Sequence, residues 1–231
     1  AMRRSNVVAQ AWIDGISEYG GGSGASPLVT GYTNAHQALE EYLASELKRD
    51  NVLLFNSGFA ANQAVCQALF NRPVSSQAVP GQSSAKNEDV IIADKLMHAS
   101  FIEGAQASKA KLTRFNHNDL EHLQLLLNSA DTQKSQNTLV ATEGVFSMDG
   151  DQSPLSEMVS LTKHAKAWLM VDDAHGFGAL GKHGRGVIET HNLSQQQVPI
   201  LMATFGKAIG TAGAFVAGSQ DFIDFLINFA K

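Results

Sequence analysis

The chain has 231 residues, of which 44% are hydrophobic and 17% charged, and this composition is typical of a globular domain large enough to bury a core. Its 17 Lys and Arg against 22 Asp and Glu give a formal net charge of −5, which argues against a broad nucleic-acid-binding face. The basic residues after Met2 lead into an amphipathic segment, and no stretch is apolar for the length of a membrane span, so we expect no membrane partner.

The single cysteine, Cys66, lies in the apolar helical pattern AANQAVCQALF, which favours a packed thiol over a nucleophile. One cysteine allows no disulfide within the chain. We therefore expect a reducing, cytoplasmic environment.

The first fifth of the chain predicts two helices separated by a glycine-rich loop. Apolar residues at helical spacing predict a helix over Ser5–Tyr19 and an amphipathic helix over Asn34–Lys48. Between them lies GGGSG at Gly20–Gly24, followed by Pro27 and Gly31. This loop is either a flexible surface turn or a backbone that closely approaches a ligand or another chain.

A strand and a helix then meet at a turn of small residues. Asn51–Asn56 predicts the strand, and the run SGFAAN from Ser57 opens a helix that continues through Leu69. Free backbone N–H groups and the positive end of the helix dipole point out of such a turn, which suits an anion such as a phosphate. Because Ser-Gly is common at helix starts, the turn alone does not decide between a binding site and an ordinary cap.

The segment 71–87 predicts an exposed loop inserted into the fold. It contains two prolines and many serines and glutamines without an apolar period. Because strands and helices alternate again after it, we expect residues 1–231 to form one domain.

That alternation predicts the fold class. The further predicted strands are Val90–Ala93, Lys111–Phe115, Thr138–Thr142 and Trp168–Asp172, and the helices are Ala99–Ala107, Asp119–Asn128 and Ser153–Ala167. The pattern indicates an α/β fold with a mostly parallel sheet and helices on both faces. Ile200–Thr204 and Gly213–Ala217 are too close for a crossover helix, so we predict this pair to be antiparallel, with a last helix from Asp221.

Polar residues follow five of the predicted strands where each strand ends. They are Ser57 and Gly58, Asp94 to His98, Glu143 to Ser147, Asp172 to His175, and Thr204 to Lys207. Since the carboxyl ends of parallel strands share one edge, we expect these groups to converge on one cleft. A metal site at Asp172 and His175 is disfavoured because no second His or Cys stands at ligand spacing. A P-loop at Lys207 is excluded because the GxxxxG before it and the hydroxyl residue after it are absent.

The same groups match the needs of pyridoxal 5'-phosphate (PLP). This cofactor requires a lysine amine, an acid at its pyridine nitrogen, a ring-stacking partner, a donor at its phenolic oxygen and a phosphate cup. An acid beside the pyridine nitrogen favours the protonated ring by Coulomb attraction, and the protonated ring is the stronger electron sink. Every one of these parts is available among the five clusters.

Four runs together closely resemble the α-oxoamine synthases of the type I pyridoxal phosphate fold: VDDAHGFGALGKHGRG, TFGKAIGTAGA, TEGVFSMDGDQSPL and FNSGFAANQA. The resemblance covers essentially the whole chain except the loop at 71–87. It implies a homodimer in which loops of the neighbour complete each site, and Gly20–Gly31 is the candidate crossing loop. Members of the family carry a leading segment and a small carboxy-terminal domain outside the present sequence. The resemblance therefore implies a fragment that is the large PLP-binding domain with the small domain absent.

The resemblance also assigns roles to individual residues. Lys207 would hold the cofactor covalently and later move the α-proton of the substrate. Asp172 would hold the pyridine nitrogen, Asp173 would be structural, and His98 would stack on the ring. The remaining contacts would be His175 and Ser147 at the phenolic oxygen, Gly58, Phe59 and Thr204 at the phosphate, and Glu143 and Arg185 as supports. Turn, cap or core roles remain the structural alternatives for the acids, histidines and hydroxyls.

The implied reaction is a decarboxylative condensation of an amino acid with an acyl thioester. The run TEGVFSMDGD favours L-alanine with a pimeloyl thioester, carried by coenzyme A or a carrier protein. A sister enzyme using glycine or serine with another acyl-CoA is the alternative, as is a truncated chain that binds cofactor without activity. The presence of Lys207 argues against a degenerate subunit.

Overall fold

The computed structural model describes residues 2–71 and 89–230. The predicted insertion at 71–87 lies outside the described residues, apart from Asn71. The helices are α1 Asn6–Tyr19, α2 Asn34–Leu47, α3 Gly58–Phe70, α4 Ala99–Ala107, α5 Leu120–Leu127, α6 Ala130–Lys134, α7 Leu155–Ala165, α8 Val187–Thr190 and α9 Gln220–Phe229. The strands are β1 Asn51–Phe55, β2 Val90–Asp94, β3 Lys111–Phe115, β4 Thr138–Glu143, β5 Trp168–Asp172, β6 Ile200–Thr204 and β7 Ala214–Gly218.

The strands form one seven-stranded sheet in the order β1-β7-β6-β5-β4-β2-β3. Five neighbouring strands, from β3 to β6, run parallel, and β7 runs antiparallel to both β6 and β1. The predicted α/β class and the antiparallel β6–β7 pair are confirmed. Because β2, β4, β5 and β6 point the same way, the residues that follow them lie along one edge of the sheet.

Helices cover both faces of the sheet, as predicted. Alternate residues of each central strand enter different hydrophobic cores, since successive side chains of a strand point to opposite faces. Val140 and Val171 pack in one core with residues of α2, α5 and α7, whereas Ala141 and Met170 pack in the other with residues of α3, α4 and α9. The central strands are buried on both faces, which is why they read as continuous apolar runs.

A close approach between α3 and α4 depends on Gly104. A Cβ at this position would lie 3.0 Å from Gln63 Cα, so a side chain would push the two helices apart. This packing brings Asn62 of α3 to Ser100 of α4. Both residues belong to the site described below.

The first helix is correctly predicted, but its apolar side chains do not join a core. No residue of α1 is buried, and Trp12, Ile13 and Ile16 are 57%, 59% and 54% exposed. The short turn of 3₁₀ helix before α1 is hydrogen-bonded to the loop between β6 and β7, where Met2 N–H donates to Ala208 O at 3.0 Å.

Several predicted boundaries move by a few residues for local reasons. Helix α7 begins at Leu155, not at Ser153, because Pro154 occupies the position before the first helical residue. It ends two residues early because Lys166 adopts a left-handed conformation with φ of 55°. Helices α6 and α8, of five and four residues, were not predicted.

No helix in the described ranges has the length and apolar character needed to cross a membrane.

Candidate active site

Asp172 ends β5 and is buried at the carboxyl edge of the sheet. Its two oxygens accept hydrogen bonds from Asn62 Nδ2 at 3.0 Å and from the Ala174 N–H at 3.1 Å. Burial raises the pKa of this carboxyl, and the bonds from Asn62 and Ala174 and the charge of Lys207 oppose the rise only in part. Asp172 is therefore a buried acid whose hydrogen-bond donors are all neutral.

Asn62, in the first turns of α3, connects two elements to this acid. Its Nδ2 donates to both Asp172 Oδ2 and Ser100 Oγ, each at 3.0 Å, while its Oδ1 is buried without a partner among the described residues. The role of Asn62 was not predicted. The signal available was its place in the SGFAAN run, five residues after the cap, but only the fold shows that it faces β5.

Lys207 reaches the same edge from the loop after β6. Its Nζ lies 2.6 Å from His175 Nε2, and both side chains are half-buried. Burial lowers the pKa of Lys207, and the charges of Asp172 and Glu143 offset that shift only in part. Burial and the neighbouring Lys207 likewise lower the pKa of His175. The pair is thus disposed to share one proton between an amine and an imidazole.

Glu143 ends β4 and is the register partner of Asp172 on β5. Its side chain is buried, and burial together with the charge of Asp172 raises its pKa to about 7. The backbone N–H of His98 and the charge of Lys207 act in the opposite direction. Glu143, which was predicted to support the site, is therefore an acid that exchanges its proton near neutral pH.

Asp173, predicted to be structural, faces away from these groups. Its Oδ2 accepts a hydrogen bond from the Val187 N–H at 2.9 Å, and a Cβ added at Gly176 or Gly186 would lie 2.1 or 1.8 Å from its carboxylate oxygens. Burial raises the pKa of this carboxyl to about 8. The glycines of the HGFGALGKHGRG run thus enclose a carboxyl group.

The amino end of α3 has the geometry expected for an anion site. Ser57 Oγ accepts from the Ala60 N–H at 3.2 Å, whereas the N–H groups of Gly58 and Phe59 make no hydrogen bond within the described part of the chain. Free N–H groups at the start of a 13-residue helix favour a phosphate. The predicted third member, Thr204, is already engaged: its hydroxyl donates to Gly213 O at 2.9 Å and accepts from Gly206 N–H at 3.2 Å.

His98 and Ser147, predicted to contact the cofactor, differ in how firmly they are held. His98 caps α4, with its Nδ1 accepting from the Ser100 N–H at 3.2 Å, and its ring remains exposed beside the charges of Asp172 and His175. Ser147 lies exposed in the turn after β4, and no hydrogen bond joins it to His175 in the residues that the structure describes. Contacts and charges therefore connect Lys207, His175, Asp172, Glu143 and His98, whereas no hydrogen bond of the described residues connects Ser147 to them.

Comparison with known proteins identifies the family of the chain. The family model described as aminotransferase class I and II matches residues 3–231. The chain belongs to this family. Curated relatives include 8-amino-7-oxononanoate synthases from Aliivibrio fischeri, 47% identical, and from Photobacterium profundum, 49% identical, each matching 100% of this chain. Those matches cover 55% and 54% of the two relatives, so the chain spans about half their length.

Solved structures of the same family superimpose closely on the chain. Sphingomonas wittichii serine palmitoyltransferase matches with a TM-score of 0.86 and 31% identity, over 99% of this chain and 53% of its own. The 8-amino-7-oxononanoate synthase of Francisella tularensis matches with 0.80 and 32%, over 99% and 58%. A structure of SPT with PLP as an internal aldimine matches with 0.84 and 30%, over 97% and 52%.

The residues present fit PLP on their own chemistry. Asp172 is a buried carboxyl with no cationic hydrogen-bond partner among the described residues, and a protonated ring nitrogen would supply one. Lys207 has a pKa lowered by burial, which favours the neutral amine that reacts with an aldehyde. The free N–H groups of Gly58 and Phe59 complete the set with donors for a phosphate.

Proposed function

We propose that the chain is the cofactor-binding part of a PLP-dependent acyltransferase. It would condense L-alanine with a pimeloyl thioester, with loss of carbon dioxide, to give 8-amino-7-oxononanoate in biotin biosynthesis. The observation that carries the proposal is the 2.6 Å contact between Lys207 Nζ and His175 Nε2 at the edge that also holds the buried Asp172. The names of the 47% and 49% identical relatives support this substrate pair over that of the 31% identical serine palmitoyltransferase.

The proposal assigns the cofactor contacts to residues of this chain. Lys207 holds the aldehyde carbon, Asp172 the ring nitrogen, and the N–H groups at the start of α3 the phosphate, while His98 covers the ring. When bound, PLP supplies a ring that withdraws electrons from the carbon next to the substrate nitrogen. His175 and Ser147 are assigned to the phenolic oxygen, and Thr204 to the phosphate side through the loop that its hydroxyl fixes.

Lys207 and His175 handle protons in this scheme. Because burial lowers the pKa of Lys207, its Nζ is available as a neutral amine that accepts the α-proton of L-alanine and later returns it. His175 Nε2 lies within hydrogen-bond distance and takes part of that proton's charge. Both groups act from the same half-buried edge, where water is partly excluded.

Asp172 provides the fixed charge. As a buried carboxyl it ionises readily only when a cation faces it, so a protonated ring nitrogen and an ionised Asp172 stabilise each other. Asn62 Nδ2 donates to Asp172 Oδ2 at 3.0 Å, and this neutral donor orients the carboxylate without cancelling its charge.

Covalent capture of the cofactor tests the site. PLP added to the purified chain and reduced with borohydride is expected to attach one phosphopyridoxyl group, which is PLP less one oxygen atom, at Lys207, and peptide mass spectrometry locates it. Lys207→Ala should abolish the addition, whereas Lys182→Ala, at an exposed lysine of the neighbouring glycine-rich loop, should leave it unchanged. Labelling that persists in Lys207→Ala would show that the assignment is wrong.

Proton exchange tests the choice of amino acid. In deuterium oxide, the PLP-loaded chain is expected to exchange the α-proton of L-alanine faster than that of glycine or L-serine, as followed by proton NMR. Faster exchange of glycine or L-serine would favour a sister synthase. Exchange without condensation when pimeloyl-CoA is added would support the alternative of a cofactor-binding chain that does not turn over.

We also propose that residues 1–231 form one PLP-binding domain that carries 71–87 as an insertion. The sheet supports this, because β1 precedes the segment and pairs with β7, which follows it.

A homodimer is the proposed assembly, with Gly20–Gly31 as the crossing loop. Its support is the uncovered apolar face of α1, since exposed Trp12 and Ile16 favour burial against another chain. Sedimentation equilibrium is expected to show a dimer that Trp12→Ser with Ile16→Ser shifts towards monomer. Leu125→Ser, at a 70% exposed position on α5, should not change the assembly. A dimer unaffected by the α1 pair would place the interface elsewhere.

A further inference from the structure

A second group of charged side chains lies beside the candidate site without belonging to it. His117, in the turn after β3, approaches two carboxylates: its Nδ1 lies 3.1 Å from Asp94 Oδ1, and its Nε2 lies 2.7 Å from Asp151 Oδ2. Asn118, with a left-handed φ of 54°, adds its N–H to Asp94 at 3.0 Å and its Nδ2 to Asp151 at 2.8 Å. We call Asp94, His117, Asn118 and Asp151 the His117 clamp.

The bonding pattern of the clamp defines the charge of its histidine. Asp94 also accepts the Leu96 N–H at 2.7 Å and the Asn118 N–H, so this fully buried carboxylate acts only as an acceptor. Asp151 Oδ2 likewise accepts from Asn118 Nδ2. A carboxylate oxygen lies at each end of the His117 ring, closer to Nε2 than Asn118 Nδ2 is at 3.4 Å, so both ring nitrogens are placed to donate. An imidazole that donates twice is a cation.

The two carboxylates belong to different loops, and both loops lead to proposed cofactor contacts. Asp94 begins the loop from β2 that ends at His98, the cap of α4. Asp151 closes the turn from β4 that contains Ser147. The edge of the His117 ring also packs against Phe146, with ring centroids 4.4 Å apart and an interplanar angle of 89°.

We propose that His117 is a positioning residue: as a cation between Asp94 and Asp151, it fastens the loop after β2 to the loop after β4 and thereby holds His98 and Ser147 in place for the cofactor. The inference rests on the proposed PLP site for its last step. The fastening of the two loops is independent of that step.

The charges around His117 determine how the clamp responds to pH. Burial lowers the pKa of His117, but the bonds and charges of Asp94 and Asp151 outweigh this effect and raise it overall. Glu143 of β4 adds negative charge next to Asp94, while Arg114 of β3 is engaged with the Lys95 carbonyl. Because the folded pKa is raised, the clamp is complete below the unfolded pKa of about 6.5 and is lost as the pH rises through the folded value.

Hydrogen exchange tests the fastening directly. In His117→Gln, a neutral amide with a single nitrogen replaces the two ring nitrogens and their positive charge, so backbone amides in 95–98 and 144–152 are expected to exchange about tenfold faster. His122→Gln is the matched control, because His122 Nδ1 only accepts a local bond from the Asn116 N–H at 3.1 Å. Unchanged exchange in His117→Gln, or equal acceleration in His122→Gln, would overturn the proposal. Asp151→Asn, a milder change at a partly exposed side chain, serves if His117→Gln does not fold.

Cofactor affinity tests the consequence for the site. At about pH 6, His117→Gln is expected to bind PLP about tenfold more weakly than the unsubstituted chain, by fluorescence titration, and the difference should shrink at pH values above the folded pKa of His117. A purely structural role would give a difference that is constant with pH, and that result would overturn the positioning role. If the unsubstituted chain bound no PLP, the proposed function would fail, and the exchange experiment would still decide whether the clamp exists.

Nitrogen-15 NMR of the ring identifies the charge state itself. Both ring nitrogens of His117 should stay protonated to a higher pH than those of an ordinary exposed histidine, because the bonds to Asp94 and Asp151 raise its pKa. A neutral ring at pH 6 would contradict the cation on which the clamp depends.

Discussion

Asp172 and Asp173 are adjacent in the sequence, and both are buried carboxyls whose pKa is raised by burial, yet they lie in opposite surroundings. On the cleft side, Asp172 is surrounded by side chains that can change charge, among them Lys207 and His98. On the other side, Asp173 is surrounded by backbone, with the Val187 N–H as its donor and glycines against its oxygens. A carboxyl that meets titratable groups can respond to a ligand, whereas a carboxyl enclosed by backbone can only hold the chain together.

The strongest test of this difference is the affinity for PLP. Asp172→Asn removes the charge opposite the ring nitrogen, and loss of one partner of a buried ion pair is expected to weaken PLP binding by about a thousandfold. Asp173→Asn should leave the affinity within about threefold, because no described contact of Asp173 faces the cleft. Equal losses in a fluorescence titration of both variants would mean that the two acids share one role.

The next largest effect concerns the glycines around Asp173. A Cβ in Gly186→Ala would lie 1.8 Å from Asp173 Oδ2, at a backbone with φ of 79° and ψ of −157° that favours glycine. We expect a loss of about 3 kcal/mol or more in the free energy of unfolding, measured with denaturant.

Gly150→Ala is the control for backbone strain alone. Its φ of 74° is similar, but no atom lies within 4 Å of the added Cβ. This variant should lose about 1 kcal/mol. If the two variants lost the same free energy, crowding against Asp173 would contribute nothing.

Asp173 should also affect the pH dependence of stability. The pKa of Asp173 is about 8 in the folded chain against 3.8 in the unfolded one, so the unfolded state releases this proton first as the pH rises. Its contribution to stability is therefore complete below about pH 4, falls as the pH rises towards 8 and is level beyond that.

Asp173→Asn should remove that decline. The difference in unfolding free energy between the chain and this variant is expected to decrease steadily from pH 4 to pH 8, from urea unfolding at each pH. The quantity to compare is how the difference in unfolding free energy changes with pH. Its absolute value is not informative, because the amide of the variant changes other contacts at every pH. Parallel curves for the two proteins would contradict the raised pKa.

Much of the site was predictable because strand ends in a parallel sheet share an edge. The position of Asp172 after the apolar run WLMV, and of Lys207 after β6, places both there without further information. The α/β class followed from the same alternation. The residue roles themselves remain predictions, since contacts to a cofactor are what the experiments above would measure.

Other features depend on contacts between distant segments and could not be predicted. Asn62 meets Asp172 only because α3 packs on the face of the sheet at β6 and β7, next to β5, and their separation along the chain gives no sign of this contact. The engagement of the Thr204 hydroxyl by Gly213 O depends on the loop between β6 and β7. The exposure of the apolar side chains of α1 could not be predicted either, because an amphipathic pattern does not indicate which surface covers its apolar face.

The position of β1 has a consequence for synthesis on the ribosome. Within the described sheet, β1 pairs only with β7, and Asn51 opposes Gly218 near the other end of the chain. During synthesis β1 is made before its partner, and it stays unpaired along both edges until β7 has been made. Its five residues NVLLF are a strand with high β-propensity that a second nascent chain or a chaperone can contact during that interval. Among the strands of the described sheet, β7 is thus the last to be translated and is the one that shields β1, the first.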